Sequence, residues 1–192
     1  MPGIERFIKH APLSYADRLE RRSLDDIDLV VLHCTELPDM KVAREFGERI
    51  HYEDSRTGNS GHFYISREGR LESWVDPERV AHHTRGYNER SVGIELSNRG
   101  RWPDWFHSEK QVMTEPYPAA QIAALEWLLN ELLERLGRLR WIAGHEQLDT
   151  EMVPATDSPD DKVFRKRDPG PMFPWKQLLA STSLKPLTPG GQ

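Results

Sequence analysis

Cysteine is almost absent from the 192-residue chain: a single thiol, Cys34, is present. No internal disulfide can form, and the fold makes no demand on an oxidising compartment. Long apolar runs are missing too. No stretch approaches the ~20 apolar residues of a membrane-spanning helix. Residues 1–15 are broken by Pro2, Glu5, Lys9, His10 and Pro12 and lack the continuous apolar region of a secretory signal. A cytoplasmic protein without a membrane span is the expectation. An excess of positive charge is also lacking. The formal net charge is -5, which argues against nucleic acid as a partner. Residues 18–22 hold the arginines Arg18, Arg21 and Arg22, but Asp17, Glu20, Asp25 and Asp26 surround them, so the run reads as a solvated face.

What is present is a globular composition, 37% hydrophobic and 30% charged, on a length that suits one core. The run IDLVVL at 27–32 is apolar and β-branched, as in a buried strand. Val42, Phe46 and Ile50 share one helical face, predicting a helix over 42–52. HFYIS at 62–66 and the apolar segment 71–75 read as two strands joined by a tight turn at Gly69, and SVGIEL at 91–96 as a further strand. The strongest helical pattern runs from Pro118 to Leu136, with Ile122, Leu125, Leu128, Leu129 and Leu132 on one side and Gly137 as its stop. LRWIA at 139–143 is the last strand. Residues 146–167 are polar, carry Pro154 and Pro159, and read as a long loop. The sum is an α/β fold, a single domain with a central mixed β-sheet flanked by α-helices. Residues 1–23 are taken as an N-terminal extension, 24–180 as the catalytic domain and 181–192 as a flexible tail.

Two of the eight histidines share a feature. His33 ends IDLVVLH and His145 ends LRWIAGH, so each follows an apolar strand, a rigid place to mount side chains that converge. Taken singly, each is more often a packed or surface residue. A catalytic zinc ion needs a third protein ligand. Cys34 adjoins His33 and points to the opposite strand face, as a small core residue would. Asp168, in the proline-flanked turn Arg167-Asp168-Pro169-Gly170-Pro171, is the better candidate, and two histidines with one carboxylate form a known hydrolytic zinc set. His145-Glu146-Gln147-Leu148-Asp149 imitates the start of the zinc-protease helix H-E-x-x-H. Its second histidine is absent and Gly144 interrupts a helix, so that reading is set aside.

The ordered blocks VVLHCTE, GHFYISREGRLESWV, VAHHTRGYNERSVGIELSN, WIAGHEQLD and RKRDPGPMFPW resemble the zinc N-acetylmuramoyl-L-alanine amidases, the family of AmpD, the phage amidases and the peptidoglycan recognition proteins. The resemblance covers roughly residues 24–175, and the Lys-x-Asp-Pro-Gly-Pro block is its most specific part. It implies a mixed sheet flanked by helices and one zinc ion (Zn2+) per chain, held by His33, His145 and Asp168. It also implies cleavage of the amide between N-acetylmuramic acid, including its 1,6-anhydro form, and L-alanine of a muropeptide. Phage members carry a tyrosine where this chain has Gly61. The AmpD branch uses the glutamate of the G-I-E-L strand instead, here Glu95. Cys34 stands where AmpD enzymes usually have asparagine, and the segment between His145 and Asp168 is longer. Both departures bear on substrate preference.

The resemblance assigns catalysis to Glu95, as general base and then acid, and to Lys166, as stabiliser of the oxyanion. A solvent-facing strand carboxylate and an exposed lysine between Arg165 and Arg167 are the plainer readings. His83 is either a contact to sugar or peptide or a packing histidine. Arg85 and Arg99 are candidates for stem-peptide carboxylates, and Trp102 and Trp105 for an aromatic lip or for core. His62 reads as a core or supporting histidine, and His10, His51 and His107 as surface residues. A binding module that senses muropeptides without cutting them is the competing function, and a phage-type lysis amidase the competing role. Relatives of the first kind commonly lack a zinc ligand, whereas all three are present here.

Overall fold

Apolar side chains on both faces of a strand can be covered only from both sides, which places the 27–32 run at the centre of a sheet. In the computed structural model, which describes residues 8–187, β2 (Leu29–Cys34) is buried along its whole length. It follows the edge strand β1 (Ile8–His10) in the chain. After the helix α1 (Met40–Gly47) come β3 (Phe63–Ile65), β4 (Leu71–Ser73) and β5 (Ser91–Leu96). The long helix α2 (Ala119–Arg135) precedes β6 (Trp141–Gly144) and the short α3 (His145–Leu148). A small hairpin of β7 (Met152–Pro154) and β8 (Lys162–Phe164), then α4 (Trp175–Ser181) and β9 (Lys185–Pro186), are the last elements of the described residues.

Among the described residues the main sheet has seven strands in the order β1-β4-β3-β5-β2-β6-β9. Only the β3–β4 pair is antiparallel, closed by a turn at Gly69 with φ +80°. The sheet is therefore mixed, and β2 lies between β5 and β6, parallel to both. The period of two along each strand sorts the side chains. Val30 and Leu32 of β2, Val92, Ile94 and Leu96 of β5, and Phe63 and Ile65 of β3 join one core with Ile122, Leu125, Leu128, Leu129 and Leu132 of α2. The apolar stripe of α2 lies on the sheet, as its spacing predicts. On the other face Tyr64 and Trp74 pack with Ala43 of α1, leaving that side of β2 and β5 open around His33 and Glu95. Among the described residues no helix is long and apolar enough to cross a membrane.

Four readings of the sequence change. Helix α1 stops at Gly47 rather than running to 52. The Tyr15 hydroxyl donates to the Gly47 carbonyl at 2.8 Å, and the His51 amide donates to Thr57 O at 2.9 Å instead of continuing the helix. Residues 146–167 are not an unstructured loop. They hold the last part of α3 and the β7–β8 hairpin, whose strands are three residues each and mostly exposed, too short for an alternation to show. The supposed extension and tail contribute edge strands. Ile8–His10 pairs with β4 and Lys185–Pro186 with β6, while 1–7 and 188–192 lie outside the described residues. Finally, Arg22 is not solvated. Its guanidinium donates to Pro77 O at 2.7 Å and to Asn88 O and Ser91 O at 2.8 Å, carbonyls remote in sequence. Burial lowers its pKa to about 10, against the pull of Asp26.

Candidate metal centre

The site assembles at the C-terminal edge of the three central parallel strands, where open α/β sheets bind their ligands. In β2, Val30 and Leu32 turn toward α2, so His33 emerges on the opposite face, directly beside Glu95 in the register of β5. Gly144 of β6 faces Leu32, and His145 follows it as the first residue of α3. Asp168 arrives from the segment after β8. Its carbonyl accepts the Glu146 amide at 2.9 Å, and the next carbonyl, of Pro169, accepts the Tyr117 hydroxyl at 2.6 Å.

His33, His145 and Asp168 are only 2–3% exposed, and one donor atom from each lies within 4.8 Å of the others. Asp168 Oδ2 is 2.9 Å from His33 Nδ1 and 3.2 Å from His145 Nδ1. Its other oxygen, Oδ1, is buried without a hydrogen-bond partner. A buried carboxylate oxygen left unpaired is costly. A cation among two imidazoles and a carboxylate removes that cost, and the donor set fits a divalent metal of the kind held by two-His, one-carboxylate hydrolytic sites. Burial, reinforced by His145, lowers the His33 pKa to about 4, so the imidazole is neutral and its lone pair available. Burial alone would raise Asp168. The His145 and His33 rings outweigh it and hold the carboxyl well below the usual range, as an anion.

Glu95 faces the same space, 4.0 Å from His33 Nδ1. Burial raises its pKa to about 8, Asp168 adding to the shift and Lys166 opposing it. The strand needs two close approaches to hold it there. A Cβ at Gly61 would lie 2.8 Å from Glu95 Cγ, and one at Gly93 would lie 2.6 Å from the His83 ring. A larger residue at 61 therefore pushes against Glu95, which gives a steric reason for the missing tyrosine. Gly61→Ala is expected to cost about 1–3 kcal/mol of stability by overpacking, read from urea unfolding. An unchanged midpoint would show that Glu95 can move aside freely.

Around this centre lies an open cleft of about 790 Å³. Lys166 lines it, as do Arg85, Arg165, Glu36, Tyr52, Asn59 and Trp105. Of the residues expected to touch substrate, Arg85 sits at the rim with an ion pair to Glu151 at 3.2 Å. His83 lies behind His33 as well as beside the cleft, its Nδ1 3.0 Å from His33 Nε2 and 3.0 Å from Thr84 Oγ1. Arg99 is exposed and outside the cleft lining. Trp102 and Trp105 pack edge-on against each other and Phe46, and Trp105 alone of the pair reaches the cleft. His62 is fully buried, its Nδ1 accepting the Gly93 amide at 3.0 Å. His51, expected on the surface, lines the cleft while remaining exposed. Cys34 is buried on the far side of its strand, its thiol against Tyr117.

Two residues of the cleft escape the reading of the sequence. Glu36 and Arg101 form a buried ion pair at the cleft, Arg101 Nε to Glu36 Oε1 at 2.7 Å. Charged residues 65 positions apart cannot be paired from spacing alone, although a glutamate three residues after a strand-end histidine could have been marked.

A buried His–His–carboxylate cluster with a glutamate beside it, opening on a cleft, suits metal-assisted hydrolysis. The family model described as N-acetylmuramoyl-L-alanine amidase matches residues 23–171. The chain belongs to that family. It is 36% identical over 91 residues to the N-acetylmuramoyl-L-alanine amidase AmiD of Escherichia coli K12, a match spanning 47% of this chain and 27% of that protein. It is 28% identical over 130 residues to the endolysin of Escherichia phage T7, 67% of this chain and 82% of the endolysin. The structure of E. coli AmiD with the substrate anhydro-N-acetylmuramic acid-L-Ala-D-γ-Glu-L-Lys superposes with a TM-score of 0.61. It is 24% identical, covering 84% of this chain and 60% of that one, and the likeness carries the fold.

Proposed function

We propose that the protein is a zinc-dependent N-acetylmuramoyl-L-alanine amidase acting on muropeptides, the 1,6-anhydro form included. The observation that carries this reading is the convergence of His33, His145 and Asp168 beside Glu95 in a member of the amidase family. Those three side chains would hold the zinc. When bound, zinc polarises a carbonyl and lowers the pKa of water. Glu95 then takes a proton from the attacking water and delivers it to the departing L-alanine nitrogen, so that the C–N bond yields a carboxylic acid and a free amine. The carboxyl stands on a rigid central strand with Gly61 leaving room behind it, which fixes where the proton is held. Lys166, in the cleft lining and close enough to act on Glu95 electrostatically, offsets the negative charge that develops on the carbonyl oxygen. Removing one such donor typically lowers kcat by about 10²–10³-fold. Lys166→Met is expected to show a loss of that size with KM little changed, in steady-state assays of stem-peptide release.

Inclusion of the 1,6-anhydro form is supported by the ligand in the AmiD complex, an anhydro-sugar–tripeptide fragment. The proposal extends to such fragments in the cytoplasm, ahead of intact wall. The deciding experiment incubates zinc-loaded protein with a 1,6-anhydro-muropeptide and follows the products by mass spectrometry. Free stem peptide and anhydro-sugar are the expected products. Activity on sacculi with none on fragments would favour the lysis role, and tight fragment binding without cleavage would favour the sensing module.

A further inference from the structure

Arg101 and Glu36 form the most deeply buried arginine–carboxylate pair among the described residues that line the cleft, with side chains 1% and 10% exposed. A pair of this kind is seldom kept for stability, because the cost of desolvating two ions rivals their attraction. Its geometry suggests another use. All five N–H groups of the guanidinium are engaged. Nε and Nη2 reach the two carboxylate oxygens of Glu36 at 2.7 and 2.8 Å. Nη1 reaches Gln111 Oε1 at 3.1 Å and Phe164 O at 2.8 Å, and the second N–H of Nη2 reaches Arg165 O at 3.3 Å. The Arg101 amide adds a contact to Glu36 Oε1 at 3.2 Å.

Apart from Gln111, the partners lie on the two segments of the chain that carry His33 and Asp168. Glu36 follows His33 by three positions, at the end of β2. Phe164 ends β8, and Arg165 follows it and leads directly into Lys166 and Asp168. Glu36 itself is held in an unusual conformation, φ +48°, which a non-glycine residue adopts only when its surroundings impose it. Its carbonyl accepts the Trp105 indole N–H at 3.0 Å, and a Cβ at Gly100 would come within 2.6 Å of Glu36 Cγ. Backbone strain, a dedicated glycine and a saturated guanidinium are thus spent on one junction.

We propose that Arg101 and Glu36 are positioning residues. The pair clamps the β2 end that carries His33 to the segment that carries Lys166 and Asp168, and so sets the spacing of the metal-binding triad. The inference rests on the metal-site reading above. A lysine at 101 carries three donors on a single atom and cannot reproduce the planar fork, so Arg101→Lys keeps the charge and loses the clamp. Glu36→Gln keeps the shape and loses the charge of the acceptor.

The test measures zinc affinity by competition with a chromophoric chelator, and separately the urea midpoint of the metal-free protein, for wild type, Arg101→Lys and Glu36→Gln. Zinc affinity about 10-fold weaker or more in each variant is expected, the range seen when groups behind metal ligands are removed. The cobalt(II)-substituted variants should also show an altered visible spectrum, since ligand spacing sets coordination geometry. A lowered urea midpoint with zinc affinity within threefold of wild type would mean that the pair serves only stability, and would overturn the proposal. Should Arg101→Lys fail to fold, Glu36→Gln decides by the same affinity criterion. Failure of wild type itself to bind zinc would instead strike the metal-site reading, so the two failures are distinguishable.

Discussion

Glu95→Gln is expected to lower kcat for muropeptide cleavage by about 10²–10⁴-fold, the range that a positioned general acid–base supplies, while zinc content remains at one ion per chain. The substitution is nearly isosteric. It leaves the contact with Gly61 intact and removes only the capacity to accept a proton. The carboxyl is 14% exposed and lies 4.0 Å from His33 Nδ1, facing the cleft rather than the α2 core. Stem-peptide release measures the rate, and metal analysis of the purified variant measures the zinc. A rate within tenfold of wild type with zinc bound would remove Glu95 from the proton transfer. Loss of zinc from this variant would show that the carboxylate acts on the ion's affinity instead.

Asp168→Ala is expected to abolish measurable activity and to weaken zinc binding by more than the 10–100-fold seen for groups behind the ligands. Asp168 Oδ2 stands between the two imidazole nitrogens, at 2.9 and 3.2 Å, and its removal leaves two imidazoles without the carboxylate that balances a dication. A ligand that binds only the folded state stabilises it by about 2.7 kcal/mol when present at 100 times its dissociation constant. Wild type should therefore gain roughly that much stability in urea as zinc is added, and Asp168→Ala should gain nothing at the same concentration. An equal zinc-dependent gain in both proteins would exclude Asp168 as a ligand.

Much of this site was legible because its parts are strongly patterned locally. IDLVVL is apolar on both faces and SVGIEL on one, so both read as strands, and His33 and Glu95 are placed by counting along them. Pro118, the leucine stripe and Gly137 delimit α2 in the same way. The edges and the 146–167 segment were not legible. Strands of two or three residues carry no periodicity, and what holds β1, β7, β8 and β9 in place is pairing with partners distant in the chain. Arg22 was misread for a related reason. Its sequence neighbours are acidic, but the groups that hold it are backbone carbonyls supplied by the chain around Pro77 and Ser91.

By itself the sequence determined the class of fold and the candidate set His33, His145, Asp168 and Glu95, because side-chain alternation and block order are local properties of the chain. Tertiary structure alone decided that three of these converge to within 4.8 Å, that Gly61 makes room for Glu95, that His83 stands behind His33, and that Arg101 ties Glu36 to the approach to Asp168. These are matters of register and of burial. A hydrogen bond between residues 65 positions apart exists only once the sheet has aligned its strands and excluded the water that would otherwise satisfy both groups.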